Sequence, residues 1–123
     1  AVNWGGRIHF FFQPERQERS RHADSYLFDL IEARANLFGK KTFDELCQVM
    51  PALSLLDQGW LDKPCAPMLI DNGKEDKQVP LDDFYLLLEH GSPKAIRLFP
   101  GGHMGSIANI FKTVIDWLHQ KLD

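Results

Sequence analysis

The stretch that decides the fold spans residues 66–106 and reads APMLIDNGKEDKQVPLDDFYLLLEHGSPKAIRLFPGGHMGS. It begins with a brief apolar run at residues 66–70, which is typical of a buried strand, and a second run follows at residues 95–99. A helical pattern over residues 81–89 lies between them, and a Gly-Ser-Pro turn at residues 91–93 ends it. Strands that alternate with helices in this way are typical of a parallel sheet with right-handed crossovers, so the sequence predicts an α/β fold.

Two polar loops follow the predicted strands, at residues 71–80 and 100–105. In parallel sheets, binding and catalytic residues lie in the loops beyond the carboxyl ends of the strands. The first loop offers Asp76, and the second offers His103, which lies among glycines. Two neighbouring parallel strands would therefore bring this acid and this imidazole side by side.

A carboxylate beside an imidazole supports a specific chemistry. It fixes the tautomer of the ring, orients it, and stabilises the imidazolium that forms when the histidine takes a proton from a nucleophile. Each residue alone has a simpler interpretation, because a loop aspartate is usually a turn residue and a loop histidine is usually solvated. The order of Asp76 and His103 along the chain, each beyond a strand, favours the paired interpretation.

The segment after the second loop predicts a long helix. Ser106 can cap this helix at its N-terminus. Its apolar face comprises Ile107, Ile110, Phe111, Val114, Ile115, Leu118 and Leu122.

The segment before residue 66 predicts a strand and several helices. Residues 1–12 read as a strand followed by a turn, and residues 13–22 are polar and charged. Thr42 and Glu45 form a capping box that opens a short helix, which Pro51 ends. Between these parts, apolar residues recur at helical spacing before a glycine C-cap: Tyr26, Leu27, Leu30, Ile31, Leu37 and Phe38, then Gly39.

Composition excludes several classes of protein. The chain has 123 residues, of which 44% are apolar, and a formal net charge of −3, so it is at most one domain and carries no basic stripe for nucleic acid. We expect neither a membrane span nor a signal peptide, because no apolar run is long enough for a span and the first residues lack the charged and apolar regions of a signal peptide. Cys47 and Cys65 are too few for a disulfide framework, and we expect a cytoplasmic protein with reduced thiols.

These segments carry a resemblance to a known family. The runs APMLIDNGKEDKQVP and LEHGSPKAIRLFPGGHMG, followed by an amphipathic helix with Asp116-Trp117-Leu118, resemble the C-terminal half of an α/β-hydrolase. The triad of that family follows the chain order Ser, Asp or Glu, His. The resemblance implies that Asp76 is the triad acid and His103 the triad base. It implies parallel strands with flanking helices and three parts: a core strand and turn (1–12), a helical lid (13–60) and the C-terminal core (61–123).

One branch of the family is the most similar. With WGGRIHFFFQPE at residues 4–15, the chain is similar to the yellowish-green-type hydrolases that shorten polyketides, to pseudooxynicotine hydrolases and to fermentation-respiration switch proteins. This resemblance implies hydrolysis of a carbon–carbon bond beside a ketone in a small molecule, without a cofactor. A carboxylesterase is the first alternative, and a catalytically silent scaffold that acts as a binding module or regulator is the second.

The nucleophile elbow G-x-S-x-G does not occur in these residues. The serines lie in other contexts, at Ser20, Ser25, Ser54, Ser92 and Ser106, and neither cysteine follows a strand. The first residue is not Met, which suggests a chain that begins partway through a fold. We expect the N-terminal half of the same hydrolase to be the partner that supplies the serine and the oxyanion hole, and a homodimer is a further option.

Three residues near the first strand are candidates for substrate contacts: His9, Phe11 and Phe12. They could form an aromatic wall for a flat substrate, with His9 bonding a carbonyl or phenol, and core packing of the aromatic rings is the alternative. No metal is expected, because His9 and His22 lack further ligands at a suitable spacing. Asp71 departs from the family, which generally has an apolar residue there, and we interpret it as a loop-facing acid or a variant.

Overall fold

The computed structural model of the protein describes residues 1–23 and 33–123, which form a parallel sheet with flanking helices. The strands are β1 (Val2–Trp4), β2 (Met68–Gly73) and β3 (Lys94–Phe99), and they lie in the order β1-β2-β3. Both pairs are parallel, which confirms the predicted sheet type.

The helices occur along the chain in the predicted order. The helices are α1 (Pro14–Arg21), α2 (Phe43–Val49), α3 (Leu81–Glu89) and α4 (Ile107–Leu122), with 3₁₀ turns at Phe10–Phe12 and Met50–Leu53. Residues 33–37 are also helical. The remainder of the predicted helix that contains Tyr26, Leu27, Leu30 and Ile31 lies outside the described residues, as does Ser25. No described helix combines the length and the apolar character needed to cross a membrane.

The chain divides into two compact units. The first, which we call the sheet unit, comprises Ala1–Gly6 and Leu61–Asp123, and the second, the helical unit, comprises Arg7–Trp60. The predicted division into a core strand and turn (1–12), a lid (13–60) and a C-terminal core (61–123) stays a prediction. Residues 7–12, which the sequence groups with the first strand, belong to the helical unit.

The sheet unit is built around β2, whose residues from Leu69 to Gly73 are all buried. Its two neighbours supply backbone hydrogen bonds on both sides, so the strand has the continuous burial of a central parallel strand. Helix α3 spans the predicted range, residues 81–89, and its Phe84 and Leu87 are buried. The apolar core of the unit consists of Leu61, Leu69, Ile70, Val79, Phe84, Leu87, Phe99 and Ile110.

Helix α4 leaves most of its predicted apolar face exposed. Ile110 is fully buried, whereas about half or more of the surface of four other apolar residues is exposed: Ile107, Phe111, Ile115 and Leu122. Ser106 occupies the N-cap position, but its side chain makes no capping hydrogen bond to the backbone, and its hydroxyl oxygen accepts from the Asn109 amide instead. An uncovered apolar face of this extent marks a surface suited to contact with further protein.

The helical unit contains the predicted capping box. The backbone N–H of Glu45 donates to Thr42 Oγ1 at 3.2 Å, and the Glu45 carboxylate accepts from the backbone N–H of Lys41 at 2.8 Å. These bonds satisfy N–H groups at the start of α2 that have no partner within the helix. The buried apolar residues of the unit include Ile8, Phe11, Ala35, Leu46 and Met50.

Asp71 is not the loop-facing acid that the sequence suggested. β2 extends to Gly73, so Asp71 lies within the strand, opposite Trp4 on β1 and Arg97 on β3. Trp4 stacks edge-to-face on Phe111 of α4, so this helix covers the face of the sheet that carries Asp71. The interpretation failed because Asp71 and Asn72 directly follow the apolar run, and only the pairing with the neighbouring strands, which a local pattern does not contain, extends β2 through them.

The Asp71 carboxyl is fully buried, and neither of its oxygens has a hydrogen-bond partner among the described residues. Burial raises the pKa of Asp71 to about 6, and the positive charge of Arg97 limits the rise. The folded state therefore holds a proton on Asp71 at pH values where the unfolded chain has released it. The contribution of this group to stability falls as the pH rises from about 4 through about 6.

We predict that Asp71→Asn stabilises the protein at pH 8 and not at pH 4. The amide cannot ionise, so the variant avoids the buried negative charge, with a gain on the order of 1 kcal/mol or about 4 °C in Tm. Thermal melts of both proteins across this pH range measure the difference. Asp116→Asn, at an exposed helical position, is the control and should change Tm little at any pH. A difference for Asp71→Asn that is constant with pH would contradict this account.

Candidate active site

Backbone hydrogen bonds join the two loops that follow β2 and β3. The N–H of Lys74 donates to the Phe99 carbonyl at 2.7 Å, and the N–H of Glu75 donates to the Gly101 carbonyl at 3.0 Å. The Glu75 carboxylate accepts from the N–H of Gly101 in return. These bonds hold the two loops together without any contribution from Asp76 or His103. The loops carry these two residues at the same edge of the sheet.

The Asp76 side chain is fully buried and accepts four hydrogen bonds. Oδ1 accepts from the backbone N–H groups of Gln78 at 2.7 Å and Val79 at 3.1 Å. Oδ2 accepts from Asn72 Nδ2 at 2.6 Å and bonds His103 Nδ1 at 2.8 Å. Burial by itself raises the pKa of Asp76, but the hydrogen bonds from His103, Asn72 and the two backbone groups outweigh it, so the pKa lies below its usual value. The carboxyl is therefore ionised at neutral pH.

The hydrogen bond between Asp76 and His103, which the sequence predicts, is present in the structure. An ionised carboxylate can only accept, so Nδ1 of His103 carries the hydrogen and the lone pair of the neutral ring is on Nε2. The His103 side chain keeps 24% of its surface exposed, whereas that of Asp76 has none. The ring is thus anchored at one nitrogen and basic at the other, as a general base requires.

The loop around His103 is held in an uncommon conformation. Met104 has φ +70°, in the left-handed region that side chains other than glycine rarely adopt. The Met104 carbonyl accepts from the indole N–H of Trp4 at 3.2 Å, and the Trp4 ring stacks on Phe111 of α4. β1 and α4 together therefore stabilise the backbone next to the imidazole.

Two glycines allow the chain to approach this loop closely. A Cβ on Gly5 would lie 3.1 Å from Cε1 of His103, and Gly5 itself has φ +67°. A Cβ on Gly73 would overlap the backbone carbonyl of Gly102. Sequence analysis noted the glycines beside His103 and missed these two, which are distant from it in sequence.

Asn72 is the site residue that sequence analysis did not find. It is fully buried on β2, and its amide bonds the same Asp76 oxygen that His103 uses. The available signal in the sequence was a polar amide close after the apolar run at residues 66–70 and four residues before Asp76. That signal was assigned to the start of the loop, because the strand was expected to end at residue 70.

The candidate substrate residues lie in the helical unit. Nδ1 of His9 is 2.7 Å from the hydroxyl oxygen of Ser54 and 3.8 Å from a carboxylate oxygen of Asp57. Both groups approach the same ring nitrogen, so this cluster lacks the relay geometry in which the acid and the serine use different nitrogens. Ser54 is fully buried, which also keeps its hydroxyl from solvent.

Phe11 and Phe12 stack edge-to-face with their ring centroids 5.4 Å apart. Phe11 is 2% exposed, and the guanidinium groups of Arg7 and Arg34 lie over its ring at 4.6 Å and 5.3 Å. This packing favours the core alternative for Phe11, while Phe12 is half-buried. The proposed substrate contacts of His9, Phe11 and Phe12 stay predictions.

Other histidines of the described chain have carboxylate neighbours of their own. His22 contacts Glu18 at 3.1 Å, and His90 contacts Asp62 at 2.8 Å at the end of α3. Within residues 1–23 and 33–123, no group of three or more His, Cys, Asp or Glu side chains has an arrangement that could hold a metal ion.

The structure is similar to a solved 2,6-dihydroxy-pseudo-oxynicotine hydrolase, with a TM-score of 0.59 and 22% sequence identity over 99% of this chain and 33% of that one. The fold is that of part of an α/β-hydrolase. The chain spans about a third of the length of that solved structure. No protein-family model matches the chain, and no curated protein is significantly similar to it.

We predict that Gly73→Ala separates Asp76 from His103. The new methyl group would overlap the Gly102 carbonyl, so the loop must shift, with a loss of about 1–3 kcal/mol in the free energy of unfolding. A structure of the variant and a thermal melt measure both effects. Gly102→Ala is the control, since a Cβ there meets nothing within 4 Å and should leave Tm nearly unchanged. An unshifted loop in Gly73→Ala would show that the close approach does not constrain the site.

Proposed function

We propose that this chain carries the acid and the base of a serine hydrolase with the α/β-hydrolase fold. The observation that carries the proposal is the 2.8 Å hydrogen bond between buried Asp76 and partly exposed His103, at the carboxyl edge of a parallel sheet. In this fold the triad residues follow the chain order Ser, Asp or Glu, His. Asp76 orients the ring, and His103 accepts and returns the proton.

The serine and the oxyanion hole come, in this proposal, from another segment of the same hydrolase. The G-x-S-x-G pattern is missing from the 123 residues. The solved hydrolase chain is about three times longer than the part that this chain matches. The exposed apolar residues of α4, such as Phe111 and Ile115, offer a surface for that segment.

The reaction begins when Nε2 of His103 takes the proton of the serine hydroxyl. The serine oxygen then attacks the carbonyl carbon of the substrate and forms a tetrahedral intermediate. Collapse of this intermediate breaks the bond to the leaving group, which receives the proton from His103, and an acyl-enzyme remains. Water attacks the acyl-enzyme with His103 again as the base, and the product acid and the free serine are released.

We propose that the bond broken is a carbon–carbon bond beside a ketone in a polyketide-like or aromatic ketone. The resemblance of residues 66–106 to hydrolases that shorten polyketides supports this choice. The leaving group is then an enolate carbon, which His103 protonates. No cofactor takes part. Residues 13–60 would act as the lid, with His9, Phe11 and Phe12 as the substrate contacts.

Substrate class is decided by product analysis of the intact enzyme. We expect a β-diketone to yield one carboxylic acid and one ketone, with a kcat/KM above that for simple esters of similar size. Turnover of esters alone would identify a carboxylesterase. No turnover of either class, in a protein that still binds these compounds, would identify a silent scaffold.

In the intact enzyme we predict that His103→Ala lowers kcat by roughly 10⁴-fold or more, because the serine loses its base. Asp76→Asn should cost about 10⁴-fold, because an amide favours the wrong tautomer of the ring. Steady-state kinetics with Tm as a check on folding measure both. The control is His90→Ala, which removes a histidine that also bonds an aspartate at 2.8 Å, but whose partner Asp62 is exposed whereas Asp76 is buried. Near-normal activity of His103→Ala would overturn the proposed function.

A further inference from the structure

Asn72 is placed where it can act on the acid of the proposed site. It is fully buried on β2, four residues before Asp76, and its Nδ2 donates to Asp76 Oδ2 at 2.6 Å. The same oxygen bonds Nδ1 of His103 at 2.8 Å. Asn72 and His103 are therefore two donors on one carboxylate oxygen, while backbone N–H groups hold the other oxygen.

The orientation of the Asn72 amide follows from its neighbours. Nδ2 faces the Asp76 carboxylate and, at 3.4 Å, the carbonyl oxygen of Gly73, and both can only accept. Oδ1 is consequently turned away, and it is buried without a hydrogen-bond partner among the described residues. A buried acceptor without a donor lowers the stability of the fold. Asn72 is therefore a poor choice for packing alone.

We infer that Asn72 is a positioning residue, which holds the Asp76 carboxylate in the plane and direction that His103 requires. This inference rests on the proposed function and adds a fourth residue to it. Backbone donors hold Oδ1 of Asp76. The Asn72 amide, carried by strand β2, holds Oδ2, which is the oxygen that His103 bonds.

Among the described side chains around Asp76, Asn72 is the one suited to hold Oδ2 of the carboxylate. The charged residues of its own loop, Lys74, Glu75 and Lys77, are exposed. Glu75 uses its carboxylate on the N–H of Gly101. Among the described residues, the side-chain donors to the Asp76 carboxylate are His103 and Asn72. In the proposed reaction only His103 moves protons.

The first test is Asn72→Ala in the intact enzyme. We expect kcat to fall by about 10-fold to 100-fold with KM changed less than about 3-fold, because positioning acts on the reaction and not on substrate binding. Tm should stay within a few degrees of the parent, since the variant also removes the unpartnered Oδ1. A parental kcat, or a loss of activity explained by a fall in Tm, would overturn the inference.

The second test is Asn72→Asp, which keeps the shape and changes the donor. The introduced carboxyl and Asp76 would share one proton, because two carboxylates at this distance cannot both ionise readily. While that proton is bound, the introduced group donates to Oδ2 as the amide does. Loss of the proton leaves two repelling anions and turns Asp76 away from His103.

The kcat of Asn72→Asp relative to that of the parent should therefore fall as the pH rises and the shared proton is lost. Tm measured at each pH shows that the folded protein is being assayed. Asn109→Ala, at an exposed position on α4, is the control and should keep the parental pH profile. A parental profile in Asn72→Asp would contradict the positioning role.

The outcomes also separate this inference from the proposed function. If His103→Ala is inactive and both Asn72 variants behave like the parent, the proposed function stands and the role of Asn72 is rejected. If His103→Ala retains activity, the proposed function fails, whatever the Asn72 variants do.

Discussion

The parallel pairing of β2 with β3 is the constraint on which the site depends. Gly73 lies opposite Phe99, so both strands end at the same level and their loops leave the sheet side by side. The close approach at Gly73 and the hydrogen bonds between the loops then bring Asp76 to His103. A shift of one residue in this register would carry the two side chains apart and reverse the faces of the strand.

Two buried aspartates of the sheet unit have pKa values shifted in opposite directions. Asp76 accepts four hydrogen bonds, and its pKa lies below the usual value even though the side chain is buried. Asp71 has no hydrogen-bond partner among the described residues, and burial raises its pKa to about 6. The difference comes from the number of donors supplied. The two residues are close in sequence, yet one is suited to orient a histidine and the other weakens the fold at high pH.

The sequence analysis was accurate where the information is local. The strand, loop and helix order after residue 66, the bounds of α3 and the capping box at Thr42 are carried by short-range patterns, and the structure contains them. It was wrong at Asp71 and at the end of β2. Three polar or small residues in a row resemble a loop, and only the pairing with β1 and β3 extends the strand through them. Asn72 was overlooked for the same reason.

The sequence by itself determined the α/β class and the pairing of Asp76 with His103, because parallel strands must present their carboxyl ends at one edge. Tertiary structure alone decided which groups surround that pair. Trp4 on β1 and Gly5 directly after it reach the loop of His103, and Asn72 reaches Asp76 from within β2. Such contacts depend on strand register and close backbone approach, which are properties of the packed sheet and leave no periodic signal in the chain.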